Sequence, residues 1–108
     1  MALSKPRVGK PVKVTDESAA IRCVAGDGLI REEMWEDAKG NVVRYNLAFV
    51  NFHLFSDDNG RVLGYDKAHG FPHRHFAGTV KVIEPAPYRE IHARFIAEVD
   101  KLKMQRKL

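Results

Sequence analysis

The residues best suited to chemistry lie in one short segment that carries three of the five histidines of the chain. His69, His73 and His75 fall within seven residues, Arg74 separates the last two, and Asp66 precedes all of them. Histidine titrates near neutral pH and can both accept and donate a proton. On a β-strand, residues two positions apart point to the same face, so His73 and His75 would share one face of a strand. The segment therefore predicts a site built on a strand.

Metal-independent cleavage of RNA is one reaction that fits this cluster. It requires a base for the 2′-hydroxyl proton, an acid for the leaving 5′-oxygen and a cation beside the phosphate. We predict that His73 and His75 are the proton-transfer pair. Arg74, or Lys67 next to the cluster, would stabilise charge on the phosphate, and Asp66 would orient one imidazole. No cofactor is needed for this chemistry.

In this catalytic interpretation, Tyr65 and His69 complete the site. The same segment allows two other interpretations. Alternatively, His69, His73 and His75 could bind a divalent metal such as zinc together with a carboxylate, and the protein would be a metal-dependent hydrolase. In the third interpretation the histidines are a surface feature of a module that binds nucleic acid or protein without catalysis.

The positive charge of the chain is concentrated at its two ends. The net charge is +4; residues 1–22 and residues 100–108 each carry +3, whereas residues 23–99 carry −2. Basic ends of this kind could hold a polyanion, although charged termini are also commonly solvated and frayed. We predict a flexible basic arm over 1–14 and a frayed basic tail over 103–108. The predicted nucleic-acid contacts are Lys67, Lys101, Lys103, Arg106 and Lys107.

Length and composition restrict the class of protein. A chain of 108 residues forms a single domain, 1–108, with one modest core. It contains no apolar run long enough to span a bilayer, and no apolar stretch follows the basic N-terminus as in a secretory signal. Cys23 is the only cysteine, which excludes an internal disulfide. These features favour a cytoplasmic protein without a membrane partner.

The elements that must position the cluster are predicted to form an α+β fold. Thr15 or Asp16 could cap a short N-terminal helix that runs from Ser18 to Val24. A roughly four-stranded, mostly antiparallel sheet follows, with Trp35 and Phe49 in the core. Its predicted strands are Leu29–Glu36, Val42–Phe55, Arg61–Asp66, and a last segment, Phe71–Phe76 with Thr79–Ile83, that is one strand or two pieces broken near Gly78.

Two local signals are stronger than the rest. Asn59-Gly60 suits the positive φ angles of a tight hairpin turn, which would place His53 close to Asp66 on the facing strand. After Pro87, apolar residues recur every three or four positions, which predicts a C-terminal amphipathic helix packed on the sheet. That apolar stripe consists of Tyr88, Ile91, Phe95, Val99 and Leu102.

The segment around the histidines resembles a family of bacterial toxins. Gly64-Tyr65-Asp66, then His69-Gly70, then His73-Arg74-His75 are similar to the signature of the TumE-type toxins of toxin–antitoxin modules, although Lys67 stands where that family commonly has asparagine. The resemblance implies a toxin whose partner is an antitoxin with a helix-turn-helix DNA-binding domain. It also suggests a comparison with RelE-type toxins, which have a helix, an antiparallel sheet and a closing helix and cleave RNA without metal.

Overall fold

The computed structural model describes residues 10–108. These residues form one antiparallel sheet of six strands in consecutive order, followed by one helix. A short 3₁₀ turn at Asp58–Gly60 lies between the third and fourth strands. The elements are β1 Val12–Ile21, β2 Gly28–Glu36, β3 Val42–Val50, β4 Arg61–Lys67, β5 His73–Phe76, β6 Thr79–Val82 and α1 Tyr88–Leu102.

The core lies between α1 and the centre of the sheet. Alternate residues of β3, among them Leu47 and Phe49, are fully buried beneath the helix. From α1, the apolar residues Ile91, Phe95 and Val99 are buried against them. The spacing of three and four along the helix puts these side chains on one side, so the predicted C-terminal amphipathic helix is confirmed.

The predicted N-terminal helix is wrong. The segment from Val12 to Ile21 is β1, which pairs with β2 along its whole length. Seven residues are too few for a stable isolated helix, whereas pairing with β2 gives every second backbone group of β1 a partner. Lys13 adds an ion pair with Glu33 of β2, at 2.6 Å. The order helix, sheet, helix expected from RelE-type toxins is therefore not formed by residues 10–108.

The prediction of four strands is wrong as well, since the sheet has six. One additional strand is β1. The other arises because the last strand segment is divided into β5 and β6 by a turn at Ala77-Gly78, where φ is +46° and +83°. Glycine adopts such angles without strain, so the break near Gly78 lies where the sequence allows it.

The connection between β3 and β4 is longer than a tight hairpin. Asn59 and Gly60 do have positive φ angles, +55° and +78°, as their sequence predicts. However, β3 already ends at Val50, and the segment 51–60 forms a loop closed by a hydrogen bond from the Asn51 N–H to the Gly60 carbonyl, at 2.8 Å. The first pair beyond the loop is Val50 with Arg61.

The position of His53 changes with this register. Asp66 pairs with Asn46, seven residues before His53, so the predicted proximity of His53 to Asp66 is wrong. His53 lies in the loop instead, against Gly26 of the β1–β2 connection. Asn51 is buried and donates a hydrogen bond to the Gly26 carbonyl at 2.8 Å, which joins the two loops.

The N-terminal end is described from Lys10 onward, and the C-terminal end is described through Leu108. Residues 1–9 of the predicted flexible arm lie outside the described residues, while residues 12–14 belong to β1. At the other end, the helix stops at Leu102, and the Lys103 carbonyl accepts a hydrogen bond from the Val24 N–H at 2.8 Å. Within residues 10–108, no helix is long and apolar enough to cross a membrane.

Candidate functional site

The alternation of β4 and β5 divides the predicted site residues between the two faces of the sheet. Asp66 pairs with His73, and Tyr65 pairs with Arg74. Paired residues in antiparallel strands point to the same face, and successive residues point to opposite faces. We call the face covered by α1 the helix face, which carries Tyr65 and Arg74. The other is the open face, which carries Asp66, His73 and His75.

The open face holds four groups that we call the Asp66 cluster: Asp66, His73, His75 and Arg61. The Asp66 carboxylate is their centre. His75 Nε2 lies 2.7 Å from Asp66 Oδ2, and His73 Nδ1 lies 3.9 Å from Oδ1. The Arg61 Nη1 atom lies 3.7 Å from Oδ2. Three of these four residues were predicted from the sequence, and the strand pairing brings them together.

The two histidines differ in access to solvent. The side chain of His73 is 40% exposed, whereas that of His75 is 14% exposed. Both ring nitrogens of His75 are buried, and neither makes a hydrogen bond of good geometry within residues 10–108; Nε2 is close to Asp66 but at an unsuitable angle. His73 can therefore reach a bound substrate, while His75 can act on a substrate only through Asp66.

Arg61 is the member of the cluster that sequence reasoning missed. Its guanidinium also receives support from Asp58, whose carboxylate accepts a hydrogen bond from Arg61 Nε at 2.8 Å. The side chain crosses over Gly64, where an added Cβ would lie 2.9 Å from Arg61 Cδ. A glycine inside a strand is the signal that could have found this contact, because it marks a close approach of another group.

Arg74 lies on the opposite side of the sheet from the two histidines. It forms an ion pair with Glu98 of α1, and Tyr65 donates a hydrogen bond to the same carboxylate. Burial opposes the ionisation of Glu98, but the hydrogen bonds from Arg74 and Tyr65 outweigh it and lower the pKa of Glu98. Burial, followed by the bond to Glu98, raises the pKa of Tyr65. This network fastens α1 to the sheet and does not face the Asp66 cluster.

The remaining predicted residues lie away from the Asp66 cluster or at its border. His69 is exposed in the β4–β5 loop. Among the described residues, no three His, Cys, Asp or Glu side chains converge in a way that could hold a metal ion, so the set His69, His73 and His75 is not a preformed metal site. Lys67 ends β4 and borders a groove on the open face.

The C-terminal lysines and arginine are placed by α1. Lys101 is exposed on the last turn of the helix, and Lys103 follows it in an ion pair with Asp100 at 3.1 Å. Arg106 and Lys107 are exposed in the tail. Because α1 covers the helix face, the structure does not bring these cations to the Asp66 cluster.

The open face carries a second group of residues beside the cluster. Trp35 lies here, not in the core as predicted, because its neighbours across the strands are Lys13 and Arg44. Their charged groups lie over its ring, 5.1 Å and 4.4 Å from the centroid. A groove of about 440 Å³ runs from Trp35 and Arg44 past Asn46 to Asp66. The cluster is therefore continuous with a surface able to hold a larger ligand.

Comparison of the chain with protein-family models, with curated proteins and with solved structures finds no match. The likeness to TumE-type toxins is thus a resemblance of the segment from Tyr65 to His75. The positions of these residues on the sheet are the observations that bear on function.

Proposed function

We propose that the protein cleaves RNA on the open face of the sheet by metal-independent acid–base chemistry. The observation that carries this proposal is the Asp66 carboxylate within 4 Å of His73, His75 and Arg61 on a face that α1 leaves uncovered. A carboxylate, an accessible imidazole and a guanidinium are the three kinds of group that the reaction uses. All three are held on paired strands, which fix their relative positions.

The geometry suggests a role for each group. Asp66 Oδ1, the oxygen not shared by His75 and Arg61, accepts the proton of the 2′-hydroxyl. The 2′-oxygen then attacks phosphorus, the bond from phosphorus to the 5′-oxygen breaks, and protonated His73 gives its proton to that oxygen. The products are a 2′,3′-cyclic phosphate and a 5′-hydroxyl. Arg61 stabilises the negative charge on the phosphoryl oxygens.

His75 and Arg74 receive different roles from those expected at first. The ring nitrogens of His75 are buried, so His75 lies beside Asp66 and does not exchange a proton with RNA. Arg74 is bound to Glu98 on the helix face, so Arg61 replaces it as the cation beside the phosphate.

The biological role that we propose is that of a toxin in a bacterial toxin–antitoxin module, acting in the cytoplasm. Its support is the resemblance of the segment from Tyr65 to His75 to the TumE-type signature. The partner would be an antitoxin with a helix-turn-helix DNA-binding domain. Such an antitoxin must prevent RNA from reaching the Asp66 cluster. It could do so by binding the open face, which α1 does not cover.

The test uses the purified chain and single-stranded RNA in parallel reactions with and without a chelator. We expect cleavage by the wild type and a loss of rate of about 10²- to 10⁴-fold in His73→Ala, the usual contribution of one acid or base. Asp66→Asn should be similarly impaired. His92→Ala is the matched control, because His92 is a comparably exposed histidine on α1. Mass spectrometry of the products should show the cyclic phosphate.

Other outcomes would exclude the proposal. Cleavage that the chelator abolishes would indicate the metal-dependent hydrolase instead. Tight, salt-sensitive binding of RNA without cleavage would indicate a non-catalytic module. For the toxin role, expression in a bacterial host should arrest growth with loss of RNA, and a soluble His73→Ala protein should not; equal arrest by both would refute the role of His73.

A further inference from the structure

We propose that the groove on the open face binds one nucleobase of single-stranded RNA, with guanine preferred over the other bases. The groove would thereby select the nucleotide beside the phosphate that the Asp66 cluster attacks. The selection of a cleavage position rests on the proposed function, whereas the binding of a base can be measured without any cleavage. The argument depends on Arg44, Trp35, Glu33 and Asn46.

Arg44 and Trp35 provide the flat surface that a base requires. The Arg44 guanidinium lies 4.4 Å from the centroid of the Trp35 ring, and the Lys13 ammonium lies over the same ring at 5.1 Å. Arg44 is exposed, so its side directed away from Trp35 is free to contact a ligand. Nucleobases stack on guanidinium planes as they do on aromatic rings. A base entering the groove would stack on the side of the Arg44 guanidinium that is directed away from Trp35.

Glu33 and Asn46 provide the hydrogen-bonding edge. They are paired residues on β2 and β3, and the Asn46 amide donates a hydrogen bond to Glu33 Oε1 at 3.1 Å. The hydrogen bond from Lys13, followed by that from Asn46, lowers the pKa of Glu33, so the side chain is an anion at neutral pH. Asn46 donates to Oε1 and Lys13 Nζ lies 2.6 Å from Oε2, so each oxygen of the Glu33 carboxylate keeps a second lone pair and the two remain adjacent acceptors. Guanine is the base whose Watson–Crick edge carries adjacent donors, at N1 and at the 2-amino group.

The distance from this edge to the cluster suits one nucleotide. Glu33, Asn46, Asp66 and His73 form one row across four adjacent strands. Neighbouring strands are about 4.8 Å apart, so Glu33 and Asp66 are about 10 Å apart at the backbone. The side chains of Glu33 and Asp66, together with the bound nucleotide, would span this distance. A base held between Arg44 and Glu33 therefore places its own phosphate close to Asp66 and Arg61.

The experiment measures the fluorescence of Trp35, which is the only tryptophan in the chain. The probes are 2′-O-methyl RNA tetramers, which lack the nucleophile for cleavage, with one guanine, one adenine or no purine among uracils. We expect the guanine tetramer to change the emission of Trp35 and to bind at least 10-fold more tightly than the other two. Anisotropy of a labelled tetramer provides a second readout that does not depend on Trp35.

Variants test the contacts. Arg44→Ala should weaken binding about 5- to 150-fold, the range provided by stacking of one base. Arg44→Lys keeps the charge but removes the plane, so it should bind as poorly as Arg44→Ala. Arg89→Ala, which removes one exposed positive charge from α1, should bind like the wild type. Glu33→Gln should abolish the preference for guanine.

Three results would overturn the proposal. No change in emission or anisotropy up to about 1 mM tetramer, above the usual non-specific range of about 10⁻⁴ to 10⁻⁶ M, would exclude a base site in this groove. Full affinity of Arg44→Lys would show that charge alone binds the RNA. Equal affinity for all three tetramers would remove the guanine preference. Because these probes cannot be cleaved, binding that succeeds while cleavage fails would refute the proposed function alone.

Discussion

Replacement of Arg74 by alanine distinguishes the role that the sequence suggests for this residue from the role that its position implies. The spacing in His73-Arg74-His75 predicts a phosphate ligand, so the Arg74→Ala protein would be stable and inactive. In the structure Arg74 is bound to Glu98 across the helix face, so the same variant should be unstable and active. Each folded molecule should then cleave RNA at the wild-type rate.

The expected loss of stability follows from the burial of the ion pair. The side chains of Arg74 and Glu98 are each 29% exposed. Breaking a fully buried pair costs about 3–5 kcal/mol, whereas an exposed pair contributes about 0–1 kcal/mol. Among residues 10–108, Tyr65 would be the one remaining hydrogen-bond donor to the Glu98 carboxylate. We therefore expect the free energy of unfolding to fall by about 2 kcal/mol, and Tm to fall by roughly 8 °C for a domain near this size.

Urea unfolding across a range of pH provides the assay. The folded-state pKa of Glu98 is lowered from its ordinary value of 4.5, so the contribution of the pair is fully present above that value. It is lost as pH falls through the lowered value. The difference in stability between wild type and Arg74→Ala should therefore be largest near neutral pH and should shrink in acid.

The Arg61→Gln variant should show the opposite behaviour to Arg74→Ala, with little loss of stability and a large loss of activity. Arg61→Gln should leave stability within about 1 kcal/mol of the wild type, since its partners Asp58 and Asp66 are partly exposed. Its cleavage rate should fall by about 10²- to 10³-fold, as for the loss of one group that stabilises transition-state charge. An Arg74→Ala protein with unchanged urea midpoint and a comparable loss of rate would refute this reasoning.

Three further changes test the fold. Phe95→Ala should lower the free energy of unfolding by about 3–5 kcal/mol in urea titrations, because Phe95 is 1% exposed in the core. Gly26→Ala should lower the thermal unfolding temperature more than Gly40→Ala does. Both glycines have positive φ, but an added Cβ at Gly26 would lie 2.4 Å from His53 Cδ2, whereas an added Cβ at Gly40 would have no atom within 4 Å. Asn51→Ala should cost about 1–3 kcal/mol and increase amide hydrogen exchange at His53, whose N–H bonds to Asn51 Oδ1 at 2.9 Å.

Local patterns in the sequence were sufficient for some features. The spacing of apolar residues in α1 specified which side chains would be buried, since a helix repeats every 3.6 residues whatever it packs against. The separation of two between His73 and His75 specified that both would share a face of a strand. The break near Gly78 and the positive φ of Asn59 likewise follow from the preferences of single residues.

Other features depended on partners that no local pattern names. The segment from Val12 to Ile21 carries helix-capping residues, but β2 offered it backbone pairing along its whole length, and pairing decided its structure. The register of β4 against β3 depended on a ten-residue loop and not on the Asn59-Gly60 turn alone. A shift of register replaces every neighbour across the strands, so His53 was placed far from its predicted partner.

The sequence by itself determined that His73 and His75 would lie on one sheet face, because strand alternation is a property of the backbone; the pairing of β4 with β5 added Asp66 to that face. Only the tertiary structure decided that Arg61 would join them and that Arg74 would bind Glu98. The first contact needs a side chain to cross Gly64, and the second needs α1 to cover one face of the sheet. The first contact depends on the conformation of the Arg61 side chain along β4, and the second joins side chains of two separate elements, β5 and α1. No local sequence pattern sets either contact.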